Sequence, residues 1–275
     1  MGQAVWLRDR GIVRIFGADA ATLLQGVVTN DVEKLELHEA RYAALLTPQG
    51  KILFDFLVVR LAVKEGADFA LDCDAAQAAA LAKRLGFYKL RAKATIADES
   101  ADHGVVAYSG EPPEIAPAAL RYADPRAAGL GFREILPRAR AESIGEAGLP
   151  EYEALRIALA VPKGGVDFTY GDAFPHDVNM DTLGGVDFHK GCYVGQEVVS
   201  RVQHRGGARK RVLRVELDAA APPPGTPVTD GELPVGTLGA AVGLQALALL
   251  RLDRVEEARA GGRGLKAGEA GVEVL

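Results

Sequence analysis

The chain has 275 residues, of which 48% are hydrophobic and 25% charged, and a formal net charge of −5. That is enough for one large domain or two moderate ones; it offers no general basic footprint for nucleic acid and no apolar stretch long enough to read as a bilayer span. Met1–Arg8 lacks a secretory signal pattern, and two cysteines, Cys73 and Cys192, supply neither a disulfide framework nor the ligand set of a self-contained iron–sulfur cluster, so a reducing cytoplasmic location is expected.

Gly11–Phe16 reads as a strand, and Asp19 as the N-cap of a brief helix through Leu23 and Leu24 that Gly26 stops. Ala40–Thr47 and Lys51–Leu61 are expected to pair across the Pro48-Gln49-Gly50 turn. In the second strand Ile52, Phe54, Phe56 and Val58 share one face, and Leu53, Asp55, Leu57 and Val59 the other. Two apolar faces mark a central buried strand, with Asp55 as the exception. Two readings of that carboxylate stand: it bonds a neighbouring loop, or it faces a ligand from a pocket wall. Cys73, in the strand-like run Phe69–Cys73, reads as structural. Asp74 then caps a helix whose Ala78, Leu81, Ala82 and Leu85 recur at helical spacing until Gly86 ends it.

A second strand-rich block follows at Ala92–Ala97, Gly104–Tyr108 and Gly131–Leu136, broken by Pro-rich loops such as Glu111–Pro117. Pro150-Glu151 opens a helix with Tyr152, Leu155 and Leu159 on one face, closed by Pro162. Without a regular βαβ rhythm the fold class is α+β. Val161–Lys190 has no periodicity and is rich in Gly and Asp, which suits a functional or a disordered segment. Gln196–Gln203 reads as a helix with Val198, Val199 and Val202 inward, and the chain past Arg209 as a small β-domain. Arg205, Arg209, Lys210, Arg211 and Arg214 form a basic run, either a charge-guarded strand edge or a grip for a polyanion.

Cys192 stands just before the predicted Gln196–Gln203 helix, with Gly191 and Gly195 opening the backbone and Lys190, Gln196 and Glu197 crowding it. A core packing position does not look like this, so Cys192 reads as a functional thiol whose pKa His189, Lys190 and the helix start would lower. Asp177, Asn179 and Asp181 alternate like the start of a calcium loop, but Thr182 and Phe188 occupy the places of its glycine and closing glutamate. His176, His189 and Cys192 match no zinc spacing, and no metal site is assigned.

Lys190-Gly191-Cys192-Tyr193-Val194-Gly195-Gln196-Glu197, continuing to Arg201, resembles the motif of the YgfZ-type folate-binding family of iron–sulfur assembly proteins. Supporting matches run from Gly17–Gly26 and Thr29-Asn30-Asp31 through Leu46–Lys51 and Asp124-Pro125-Arg126 to Pro175–Asp181, over nearly the whole chain. The family is similar to the aminomethyltransferase, or T-protein, of glycine cleavage. The resemblance implies a T-protein-like folate-binding body of two pseudo-symmetric lobes over residues 1–207 and a C-terminal β-barrel over 208–275. It implies tetrahydrofolate as ligand, iron–sulfur client or assembly proteins as partners, and Cys192 as the required residue. The cofactor-binding residues it suggests are Asp55, Asn179, Asp181, Tyr193, Gln196, Glu197 and Arg201, with the basic run suited to the carboxylates of a folate tail. T-proteins carry adjacent aspartates where this chain has Phe54-Asp55, and they lack the cysteine motif. Both differences favour an assembly factor over a folate-dependent aminomethyl or other one-carbon transferase; a folate-binding module that regulates or scaffolds without chemistry stays an equal alternative on sequence.

Overall fold

The computed structural model describes residues 3–62, 66–110, 114, 119–231 and 233–275; the Pro-rich loop expected at Glu111–Pro117 lies, apart from residue 114, outside them. β1 (Gln3–Leu7) and β2 (Arg10–Gly17) follow one another across the Arg8-Asp9 turn, yet they enter different sheets. After α1 (Ala20–Gln25), β3 (Ala40–Leu46) and β4 (Ile52–Arg60) form the expected hairpin, and β5 (Ala67–Asp74) pairs with the other side of β4. The Asp74 carboxylate accepts from the Ala76 N–H at 2.8 Å, capping a short 3₁₀ turn that leads into α2 (Ala78–Lys89). With β6 (Thr95–Asp98) these strands make a five-stranded sheet in the order β3-β4-β5-β2-β6.

Two local expectations change. Asp19 precedes α1, but its side chain makes no cap; its Oδ2 accepts instead from the Lys93 N–H at 2.7 Å. And α2 does not stop at Gly86. Leu81 and Leu85 are fully buried, each worth about 1.5–3 kcal/mol. An exposed glycine costs only about 1 kcal/mol, so the helix runs on to Lys89.

β7 (His103–Ser109), β8 (Leu120–Ala123) and β9 (Phe132–Pro137) join β1 in a second sheet, ordered β1-β7-β9-β8, covered outside by α3 (Arg138–Ile144). The two sheets meet through Tyr42, Leu57 and Ala70 on one side and Val105, Ala107 and Ile135 on the other. The other face of the first sheet buries α1 and α2. α4 (Leu149–Ala158) and the segment that follows tie this body to the barrel.

From 161 to 190 the chain forms no strand and no α-helix, only a 3₁₀ turn at Pro175–Val178, but it is firmly tied. Buried Asp167 accepts from Arg156 at 2.7 Å, from the Lys163 N–H at 2.8 Å and from the Ala240 N–H at 2.7 Å. Side-chain bonds to distant backbone hold a segment in which no period-2 or 3.6 pattern could appear.

α5 (Gln196–Arg205) buries Val199, while Val198 and Val202 are half-buried. β10 (Lys210–Leu217), β11 (Pro227–Thr229), β12 (Pro234–Val242), β13 (Gln245–Arg251), β14 (Leu265–Ala267) and β15 (Ala270–Val274) close a barrel in the order β10-β13-β12-β11-β14-β15, with α6 (Leu252–Ala260) beside it. Closure leaves no unpaired edge.

Candidate functional site

The loop carrying Cys192 is fixed at both ends. On its N-terminal side the Asp187 carboxylate accepts from the His189 N–H at 2.7 Å and the Lys190 N–H at 3.1 Å. The Lys190 ammonium then turns inward and donates to the carbonyls of Gln25, Val28 and Asn30 at 2.8, 2.7 and 2.8 Å, at the end of α1. Burial draws that ammonium down to about 8, while the three carbonyl acceptors favour its retaining the proton. On the C-terminal side Gly195 has φ +83°, and a Cβ there would lie 2.5 Å from the Thr47 carbonyl. Only glycine lets the start of α5 press so closely on the β3–β4 turn.

Between these anchors Cys192 is exposed, whereas Cys73 is buried and its thiol is pushed up to about 12 by that burial. The expected support of Lys190 for a Cys192 thiolate is corrected: its charge is committed to three carbonyls beneath the loop. Tyr193 turns inward, and burial raises its phenol. The Gln196 side-chain oxygen accepts from the Tyr193 N–H at 3.3 Å. Glu197 and Arg201 pair at 2.7 Å on the outer face of α5, both exposed.

Asp55 lies in the seam between the two sheets. Its Oδ2 accepts from the Tyr42 hydroxyl at 2.9 Å and its Oδ1 from the Tyr170 hydroxyl at 2.5 Å. Burial, then the adjacent carboxylate, raises both phenols. Beside it Asp72 accepts from Arg10 at 2.6 Å, Arg133 at 2.5 Å and the Tyr122 hydroxyl at 2.9 Å. Burial works against its ionisation, but Arg10 and Arg133 overcome burial and hold the carboxyl below its usual range. Arg133 continues to Asp124 at 3.0 Å and the Tyr152 hydroxyl at 2.7 Å. Asp72 shows the same signal as Asp55, an acid inside an apolar strand run, and sequence reasoning passed over it. Tyr42 and Tyr170 gave no sequence signal, because a tyrosine in a core is ordinary.

Asn179 and Asp181 sit at a third place. Asn179, at φ +63°, donates to the Val212 carbonyl at 2.9 Å, and Asp181 pairs with Arg211 at 2.6 Å, riveting the 161–190 segment to β10. The seven residues named for a cofactor therefore fall at separate places: Asp55 in the seam, Asn179 and Asp181 at the barrel junction, Tyr193 on the Cys192 loop, and Gln196, Glu197 and Arg201 on α5. Both Asp55 oxygens hold tyrosine hydroxyls, so a pterin bonded there would have to displace Tyr42 or Tyr170. The arginine-lined cleft beside Asp72 and Asp124 has only about 30 Å³, space for a water or two. A cavity of about 510 Å³ lies between residues 165–173 and the barrel, lined by Phe168, Asp172, Lys210 and Arg251 among others. Its size is that of a small-molecule site. Lys210 belongs to the basic run; the side chain of Arg205 lies outside the described residues. Among the described residues no three His, Cys, Asp or Glu side chains are grouped to hold a metal ion, and no helix is long and apolar enough to cross a membrane.

Residues 9–112 match the GCVT N-terminal domain family and residues 209–275 the CAF17, C-terminal beta-barrel domain family. The iron–sulfur cluster assembly factor IBA57, mitochondrial, of Mus musculus is 32% identical over 91% of this chain and 78% of its own length. The homologue of that factor in Mycosarcoma maydis is 35% identical over 80% of this chain, which spans 59% of the fungal protein. The crystal structure of the glycine cleavage system aminomethyltransferase T from Bartonella henselae superposes with a TM-score of 0.72 at 17% identity, over 100% of this chain and 84% of that one. The aminomethyltransferase-like fold with a closed C-terminal barrel, expected from the sequence, is what the chain has. The expected cytoplasmic location is overturned, since these assembly factors are named mitochondrial proteins.

Proposed function

We propose that this chain, which belongs to the IBA57 family of iron–sulfur cluster assembly factors, assists the building or repair of clusters in client proteins through a transient bond of Cys192 to iron. The observation that carries this reading is an exposed thiol on a loop anchored from both sides, in contrast to Cys73, which is sealed in the core. Cys192 loses its proton to solvent and its sulfur donates one bond to iron; the remaining ligands come from a partner, from a second copy or from a small thiol, because this chain does not group enough of its own among the described residues. A cluster held this way is cargo and leaves with its acceptor.

The YgfZ-type motif Lys190–Glu197 supports a folate-binding member of this group. In this reading tetrahydrofolate is a ligand and not a reactant. The cavity of about 510 Å³ is its candidate site, with Lys210 and Arg251 suited to the tail carboxylates. Aminomethyl transfer is disfavoured, because Phe54 replaces one aspartate and the other is closed off by Tyr42 and Tyr170.

The test is complementation of cells lacking the endogenous factor, with a client iron–sulfur enzyme's activity as readout. Cys192→Ala is expected to abolish rescue while binding tetrahydrofolate like wild type in calorimetry. Full rescue by that variant would falsify the thiol reading. Lys210→Ala is expected to weaken folate binding; if instead Asp55→Asn abolishes it in a chain that still folds, the ligand belongs in the seam.

A further inference from the structure

The end of α2 carries a surface that neither the thiol nor the folate reading uses. Between Ala75 and Ala97 the sequence has no acidic residue and five cations: Lys83, Arg84, Lys89, Arg91 and Lys93. None of the five makes an ion pair with a described residue, although the chain as a whole is acidic. Elsewhere arginines are matched, as Arg10, Arg126, Arg133, Arg156 and Arg211 are with Asp72, Asp124, Asp167 and Asp181. Amid this unmatched charge stand the two most exposed large apolar side chains among the described residues, Phe87 at 62% and Leu90 at 88%. They lie three residues apart, Phe87 in the last turn of α2 and Leu90 at the residue that caps it.

The surface is also held in place. Leu90 ends the helix at φ +43°, a backbone leucine rarely adopts, so the fold retains strain to hold an apolar side chain in water. The turn after it is fastened through both backbone groups of one residue: the Lys93 N–H donates to the Asp19 carboxylate at 2.7 Å and the Lys93 carbonyl accepts from the Asp19 N–H at 3.2 Å. Beneath, Leu81 and Leu85 fix the helix to the first sheet.

We propose that the C-terminal end of α2 is a docking site for a protein that presents an acidic surface around a small apolar cleft. Phe87 and Leu90 enter the cleft, and the five cations meet the acidic rim, steering encounter and selecting against basic or neutral surfaces. Charge complementarity calls for an acidic partner. The fixed presentation of only two apolar side chains suits a shaped protein cleft more than a fluid bilayer, which holds a helix by a long apolar face. The proposal is independent of the role of Cys192.

The test places a photo-crosslinking phenylalanine analogue at position 87 of the full chain, in cells that naturally make it, and identifies what is captured by mass spectrometry. The captured protein is then purified and titrated against the wild-type chain, Leu90→Ser and the pair Lys89→Glu with Arg91→Glu. The expected result is one acidic protein, bound about tenfold or more weakly by Leu90→Ser, as for a buried anchor side chain. For the charge-reversed pair the on-rate falls and loses its salt dependence. Equal thermal stability of the variants checks that folding is unaffected, since the altered side chains are exposed or at the helix end. Capture of lipid, of a second copy or of nothing overturns the proposal. So does equal affinity of the variants, or wild-type binding to phosphatidylserine vesicles that Leu90→Ser abolishes.

Discussion

In the seam between the two sheets, Asp55, Asp72 and Asp124 are surrounded by Tyr42, Tyr122, Tyr152, Tyr170, Arg10, Arg126 and Arg133, and each acid is matched within the protein. At the Cys192 loop the matching is all underneath, at Lys190 and Asp187, and the thiol above is left to solvent. The first region has the kind of polar groups expected of a site, and they are occupied holding the sheets together. The second has a single reactive atom, and the fold does little except present it. Buried ionisable groups mark a site only when some bonding capacity remains uncommitted.

Removing one partner from the seam is expected to have the largest effect. Arg133→Leu leaves Asp72 and Asp124 short of a buried cation and is predicted to lower stability by about 3–5 kcal/mol in urea titration. A loss below about 1 kcal/mol would mean the seam is wetter than its burial suggests.

Lys190→Met tests the loop's foundation. Three carbonyls lose their donor, and a cost of about 1–3 kcal/mol is expected, with faster amide exchange from His189 to Tyr193. The pH dependence has a definite sign. Folded, the lysine titrates near 8 against 10.5 for a free one, so the unfolded chain binds more protons in that window. Wild-type stability relative to the variant therefore rises between those values. A flat difference would show that the carbonyls hold the proton against burial.

Cys192→Ala is expected to change stability by less than about 0.5 kcal/mol, as for an exposed side chain. Alkylation sharpens the same contrast: Cys192 is expected to label at neutral pH, and Cys73 to resist until the pH nears 12 or the chain unfolds. Early labelling of Cys73 would reverse the assignment of the two thiols.

Local signals in the sequence carried far where geometry is local. The Pro48-Gln49-Gly50 turn, the Asp74 cap and the two apolar faces around Asp55 each correspond to what is seen. Asp19 misled because a cap and a long-range acceptor look alike in sequence; its partner, Lys93, is 74 positions away. Lys190 misled similarly: beside Cys192 in the chain, it points to the other side of the loop. Asp55 was marked by the apolar strand around it and the other six cofactor residues by the motif and its flanking matches, and which of them face one cavity depends on contacts among elements far apart in the chain. The unmatched cations of α2 were legible in the sequence; that they surround two exposed apolar side chains was not.

β1 has a consequence for synthesis. Gln3 pairs with Ser109, so β1 waits about a hundred residues of synthesis for its neighbour. At ~5–20 residues per second this is on the order of 5–20 s with an apolar strand unpaired. The five-stranded sheet, whose last strand ends at Asp98, can be complete before β7 has emerged. Translation thus imposes an order on the two sheets, and a pause between codons 98 and 137 would lengthen the interval in which β1 is open to pairing with another nascent chain.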